Sequence, residues 1–217
     1  MTQRITTPGA RAPDAGPEAT RATRALLACG VVAGPLFVVV GLLQASTRDG
    51  FDLGRHQLSL LSLGDLGWIQ TTNFVISGLP FLVGGYGVGL LAAGMFAADQ
   101  AFGFPPGAPE GAPDRLSWHG ALHLTLSSLG FLSLILGCFV LARGFAAQRK
   151  RGLATYSLAT GVAFLVATAA FAARPNQGSV NVLFFVVAAF ALAWVSVIAG
   201  WLMTVVPSPN HDNRRST

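Results

Sequence analysis

The sequence predicts an all-α fold, a polytopic transmembrane helical bundle, and three observations predict it. The chain is 52% hydrophobic and only 11% charged, with a mean hydropathy of +0.57, whereas a soluble domain carries about 25% charged residues. Four runs reach the roughly 20 apolar residues that a bilayer-crossing helix needs: residues 25–45, 116–142, 153–173 and 180–206. The basic residues stand at the ends of these runs instead of interleaving with exposed aromatics, which is the pattern of topology determinants. The net charge of +5 and the pI near 10.2 therefore do not argue for nucleic acid as a partner. The expected surroundings are a lipid bilayer, and the expected location is the cell membrane, crossed several times.

Residues 1–24 are rich in Thr, Pro, Ala and Gly without apolar periodicity, and predict a disordered cytoplasmic tail. The transmembrane domain then covers residues 25–206, and residues 207–217 form a polar C-terminal tail. The first apolar run is longer than the 7 to 15 residues of a signal-peptide core, so it is read as a retained helix. Gly30 and Gly34 form a GxxxG pair that lets a neighbouring helix come close. Cys29 and Cys138 lie inside apolar runs, where small buried hydrophobes are expected rather than a disulfide.

Residues 46–68 are a polar interlude with Asp49, Asp52, His56 and Asp65. Its Leu/Ser alternation fits a segment lying along the membrane surface, and Trp68 suits the headgroup level. Residues 69–98 are ambiguous: thirty residues make about 45 Å of helix, too long for one crossing of a core of about 30 Å and too short for two ordinary ones. A single crossing puts six basic residues on the cytoplasmic side and eight outside, whereas an even number puts ten inside and four outside. Charge therefore favours six spans in all, with a kinked or re-entrant pair broken near Pro80, Gly84 and Gly85. Length favours five, with one long tilted helix. Four positive charges in RGFAAQRKRG mark a cytoplasmic turn between the two following runs, and RPNQGS forms a short loop on the opposite side.

Three stretches in order, RHQLSLLSLGDLGWIQTTNFVISG (55–78), GVGLLAAGMFAADQAFGFPPGAP (87–109) and WHGALH (118–123), resemble bacterial integral membrane proteins of the domain-of-unknown-function 998 family. The resemblance covers the chain from about Gly30 to Val206. It implies a helical membrane protein with six spans and no assigned activity. The chain departs from the family pattern at residues 79–87, which compress the region where two full spans and their loop are expected.

The chemistry-bearing residues are few. His119 and His123 are four apart near a predicted helix start, hence on one face. Two imidazoles so spaced can share a divalent metal such as zinc, with Asp99, His56 or Asp65 as third ligand; HxxxH lacks the Glu of HExxH. The competing reading makes Asp99 a solvent-facing cap and the histidines partners for carbonyls or a carboxylate. Asn73 predicts an interhelical hydrogen bond or a pocket contact, and Arg174 a snorkelling side chain. GGYGVG lacks the lysine of a phosphate loop, and no GxSxG nucleophile elbow occurs. The sequence thus leads to a non-catalytic membrane protein with a small polar pocket on the extracytoplasmic side, formed among Asp99, His119, His123, His56, Asp65, Asn73 and Arg174. The pocket would bind a lipid-like ligand or a membrane subunit. The alternative is a metal-assisted, membrane-embedded hydrolase using His119, His123 and Asp99.

Overall fold

The structure, a computed structural model, describes residues 16–81, 85–175 and 177–207. The expectations for residues 1–15 and 208–217, and for the break at Gly84, lie outside the described residues. Six α-helices follow one another: α1 Pro17–Thr47, α2 Gly67–Gly78, α3 Gly85–Met95, α4 Trp118–Ala147, α5 Arg151–Ala173 and α6 Gly178–Val205. Helix α1 begins at Pro17, ahead of the apolar run at Ala25, so the helix extends into the stretch read as a tail.

Four helices, α1, α4, α5 and α6, are long and apolar enough to cross a membrane. Neither six nor five full-length spans are present among the described residues, because α2 and α3 have 12 and 11 residues. At 1.5 Å per residue each is about 16 to 18 Å long, half a hydrocarbon core. The chain breaks where the tight turn Leu79–Phe81 takes over, since Pro80 lacks the amide a continuing helix requires. The two short helices then fold back on each other. Gly78 at the end of α2 faces Gly87 and Leu90 of α3, while Gly94 near the end of α3 faces Thr71 and Phe74 of α2. This antiparallel hairpin returns the chain to the end of the bundle it came from.

The helices form a ring in chain order. Each packs against its sequence neighbours, and α6 closes on α1. Glycine makes the closest approaches possible: a Cβ on Gly34 would stand 2.6 Å from the Leu192 carbonyl of α6, and Ser196 Oγ of α6 reaches the Gly30 carbonyl at 3.5 Å. The GxxxG pair is thus an intramolecular helix contact. At the same end Arg24 Nη1 donates to the carbonyls of Met203 (3.0 Å) and Val206 (2.9 Å) at the end of α6. Lys150 lies over the Trp201 ring, 4.1 Å from its centroid.

That half of the ring is filled by Cys138, Phe145, Phe164, Trp194 and Ile198, with Trp194 Nε1 donating to Ser157 Oγ at 2.9 Å. The outward faces remain apolar: Val39, Val140, Val166 and Val186 are more than half exposed, as expected where lipid is the solvent. Cys138 is buried as expected, but Cys29 is exposed on α1, and both are free thiols.

The other end is covered by a cap built from two connections, residues 51–63 and 98–111. Leu60, Leu61 and Phe104 form its core. The LSLLS segment forms a tight helical turn, with Leu60 and Leu61 pointing into this core. Arg48 Nη1 and Nη2 donate to the carbonyls of Leu61 (3.2 Å) and Leu63 (2.6 Å), and the guanidinium lies 5.4 Å from the Phe104 centroid. Arg55 and Glu110 bridge the two connections at 2.7 Å, an exposed pair worth less than about 1 kcal/mol.

Candidate functional site

Inside the ring, on the cap side, lies a cavity of about 480 Å³. Every helix contributes to its wall, among them Phe37 from α1, Phe74 from α2, Leu90 from α3, Phe131 from α4, Phe164 from α5 and Phe184 from α6. Toward the cap the lining becomes polar, with His56, Gln57 and Ser59 from the cap, His123, Ser127 and Ser128 from α4, Thr168 from α5 and Asn181 from α6. Among the described residues that line it, none carries a formal charge.

The polar groups differ in what they leave free. His56 is held on both ring nitrogens: Nδ1 accepts from the Asp52 amide at 2.9 Å, so Nε2 carries the proton and donates to the Phe102 carbonyl at 2.8 Å. It is a wall and a brace between the cap's two connections, with no nitrogen left for a ligand or metal. His123 places Nδ1 2.8 Å from the Phe96 carbonyl, and since a carbonyl only accepts, neutral His123 is the Nδ1–H tautomer with Nε2 as an acceptor. Asn181, 5% exposed, donates through Nδ2 to the Gly54 carbonyl at 3.0 Å. Its Oδ1 is buried without a protein partner, as is Ser127 Oγ.

The structure brings together His56 and His123 from the expected set and leaves the others elsewhere. Asp99 accepts from the Ser117 amide at 2.8 Å and lies where a Cβ on residue 120 would sit. Ser117 Oγ in turn accepts from the Gly120 amide at 3.0 Å. Asp99 and Ser117 thus cap the start of α4, where amides lack helical partners and the dipole favours an anion. His119 is exposed and rests against the Trp118 ring, centroids 3.4 Å apart. Asp65 and Arg174 are exposed. The metal set of His119, His123 and Asp99 is not assembled, and among the described residues no three His, Cys, Asp or Glu side chains form a group able to hold a metal. Asp99→Ala is expected to cost about 1 kcal/mol through loss of the cap, with Asp99→Asn recovering most of it. Denaturant titration in detergent micelles would read both.

Asn73 lies outside the cavity and makes the interhelical bond expected of it. Its Nδ2 donates to the Phe37 carbonyl of α1 at 3.2 Å and to Gln70 Oε1 at 3.3 Å, and Gln44 Nε2 of α1 donates to Gln70 Oε1 at 2.7 Å. Gln44, Gln70 and Ser77 are buried here, so a polar seam joins the half-length α2 to α1. Sequence reasoning passed over Gln70 and Ser77, although with Asn73 they fall at i, i+3 and i+7 on one helical face. It also passed over Asn181, a lone amide in an apolar run.

The family comparison decides the kinship, since the family described as Protein of unknown function (DUF998) matches residues 31–202. The chain belongs to this family. In this DUF998 protein the match runs from within α1 to near the end of α6, so it takes in the ring, the cap and the cavity. No curated protein and no solved structure matches the chain.

Proposed function

We propose that this DUF998 protein is a membrane-embedded, non-catalytic binding protein that holds a lipid-like ligand inside its helix ring, beneath an extracytoplasmic cap. The observation that carries this reading is the cavity: its volume falls within the 300 to 1,000 Å³ of ligand sites, its walls are mostly apolar, and apart from Tyr86 on α3 its polar side chains stand toward the cap. That distribution matches an amphiphile with its chain among the phenylalanines and its head under the cap.

In this reading α1, α4, α5 and α6 cross the cell membrane and the α2–α3 hairpin is re-entrant. Charge supports the orientation. Among the described residues, the end with the α4–α5 turn carries Arg21, Arg24, Arg143, Arg149, Lys150 and Arg151 against one acid, Glu18, while the cap end carries four basic and six acidic residues. Basic loops stay cytoplasmic. Trp68 and Trp118, each 64% exposed at the cap end, suit a headgroup layer. Gly111 and Gly152 have open space around them. A membrane-impermeant thiol reagent on intact cells is expected to label Gly111→Cys and to spare Gly152→Cys until the cells are permeabilised; the reverse pattern inverts the topology.

Native mass spectrometry of protein purified in mild detergent tests the binding itself. A lipid is expected to remain on the native chain and to be lost from Ala188→Trp, which fills the cavity. A folded native chain that retains no lipid would remove the reading.

A further inference from the structure

We propose that the cavity opens sideways, between the cap-side halves of α4 and α5, and takes its occupant from the outer leaflet of the bilayer rather than from the water beyond the cap. The inference rests on the lipid-binding reading and adds the route and the source of the lipid.

Three of the described residues that line the cavity are exposed: Leu124 and Ser128 on α4, and Ala172 on α5. All three stand at one seam. Farther from the cap α4 and α5 touch, since a Cβ on Gly161 of α5 would stand 2.9 Å from Cys138 Cβ and 3.0 Å from the Phe139 ring of α4. Ala172 is eleven residues on from Gly161, and Ser128 is eleven back from Phe139. Eleven residues make about three turns, so in this antiparallel pair both side chains return to the touching face at one height, about 16 Å nearer the cap. Helices still in contact there would have Ser128 and Ala172 cover each other. Their exposure means that the helices have parted and left a mouth edged by small side chains.

The seams on either side are closed along the cavity. Gly89 meets Gly130 between α3 and α4, and Phe171 stacks on Phe184 between α5 and α6, centroids 4.9 Å apart. Overhead, Asn181 ties α6 to the cap through the Gly54 carbonyl, and His56 ties the cap's two connections together. Depth then names the source. Leu124 and Ser128 lie six and ten residues along α4 from Trp118, about 9 and 15 Å, which runs from below the headgroup level to the middle of a core of about 30 Å. The surface around the mouth is apolar, with Leu129, Leu132 and Leu165 all exposed. What faces the mouth is therefore the acyl region of the outer leaflet, from which a lipid can slide its chain inward without exposing it to water.

The test follows, by native mass spectrometry, how fast the co-purified lipid leaves the full chain after dilution into excess dodecyl maltoside. In a Cys29→Ser background, which removes the exposed native thiol, Ser128→Cys with Ala172→Cys is bridged across the mouth by a bifunctional thiol reagent. Arg55→Cys with Glu110→Cys, which replaces the ion pair between the cap's two connections, is bridged in the same way. The bridged mouth is expected to hold its lipid about tenfold longer than the same variant left unbridged, while the bridged cap releases lipid at the native rate. Each bridge is made after folding, so slower release reports access and not assembly. Release from the bridged mouth at the native rate, or retention by the bridged cap, overturns the sideways route while lipid binding stands. A folded native chain that carries no lipid removes the lipid-binding reading and the route with it.

Discussion

Phe104→Ala is expected to open the cap while leaving the helix ring folded. Phe104 is fully buried, edge-on to Phe51 with centroids 5.2 Å apart, 5.5 Å from the His56 ring and beneath the Arg48 guanidinium. Truncating a buried phenylalanine costs about 3 to 5 kcal/mol through lost transfer energy and the cavity left behind, and the loss of the cation–π contact adds about 0.5 to 1 kcal/mol. The other buried members of the cap core are Leu60 and Leu61, too few to absorb a void of that size. Hydrogen–deuterium exchange should accelerate across residues 51–63 and 98–111, with the amides of α4, α5 and α6 little changed. Arg55→Ala, which removes an exposed ion pair at the same seam, should move exchange hardly at all. If exchange in the cap is unaltered by Phe104→Ala, the two connections do not form one cooperative unit.

The four long helices are legible in the sequence because they are nearly uniform apolar runs, and in a membrane that alone specifies a spanning helix. The half-length pair is only half legible. Pro80 and the count of thirty residues announce a break, but whether the halves continue outward or fold back depends on Gly78 and Gly94 meeting the opposite helix, which is a tertiary fact. The site is harder still. His56 and His123 stand out as rare polar residues, and the chain around them supplies carbonyl and amide partners that consume three of their four ring nitrogens. Asn181 becomes meaningful only because ring closure brings it to Gly54, 127 positions away in the chain. Asp99, His119 and His123 cluster in sequence, but capping of α4 turns Asp99 toward backbone amides and stacking on Trp118 draws His119 to the surface.

Gly130→Leu is expected to separate α3 from α4 and to lower the stability of the ring. A Cβ on Gly89 would stand 2.7 Å from the Gly130 Cα, and one on Gly130 would stand 2.9 Å from the Gly89 Cα. These are backbone-to-backbone approaches, so no rotamer can relieve the clash; only the helices can move. Overpacking of a close contact costs about 1 to 3 kcal/mol, and a full leucine side chain at a glycine crossing belongs at about 3 kcal/mol. Helix α3 has little else to hold it: eleven residues wedged between α2 and α4, with Gly89 and Leu90 facing the cavity. Displacing α3 therefore deforms the cavity wall along with the fold. Gly137→Leu, two turns further along α4, meets nothing within 4 Å and exchanges glycine for a better helix former, a gain of up to about 0.8 kcal/mol. Thermal denaturation in detergent should show a clear fall in Tm for Gly130→Leu and an unchanged or raised Tm for Gly137→Leu. Equal effects from the two would mean that leucine insertion as such, and not the α3–α4 crossing, limits the stability of the ring.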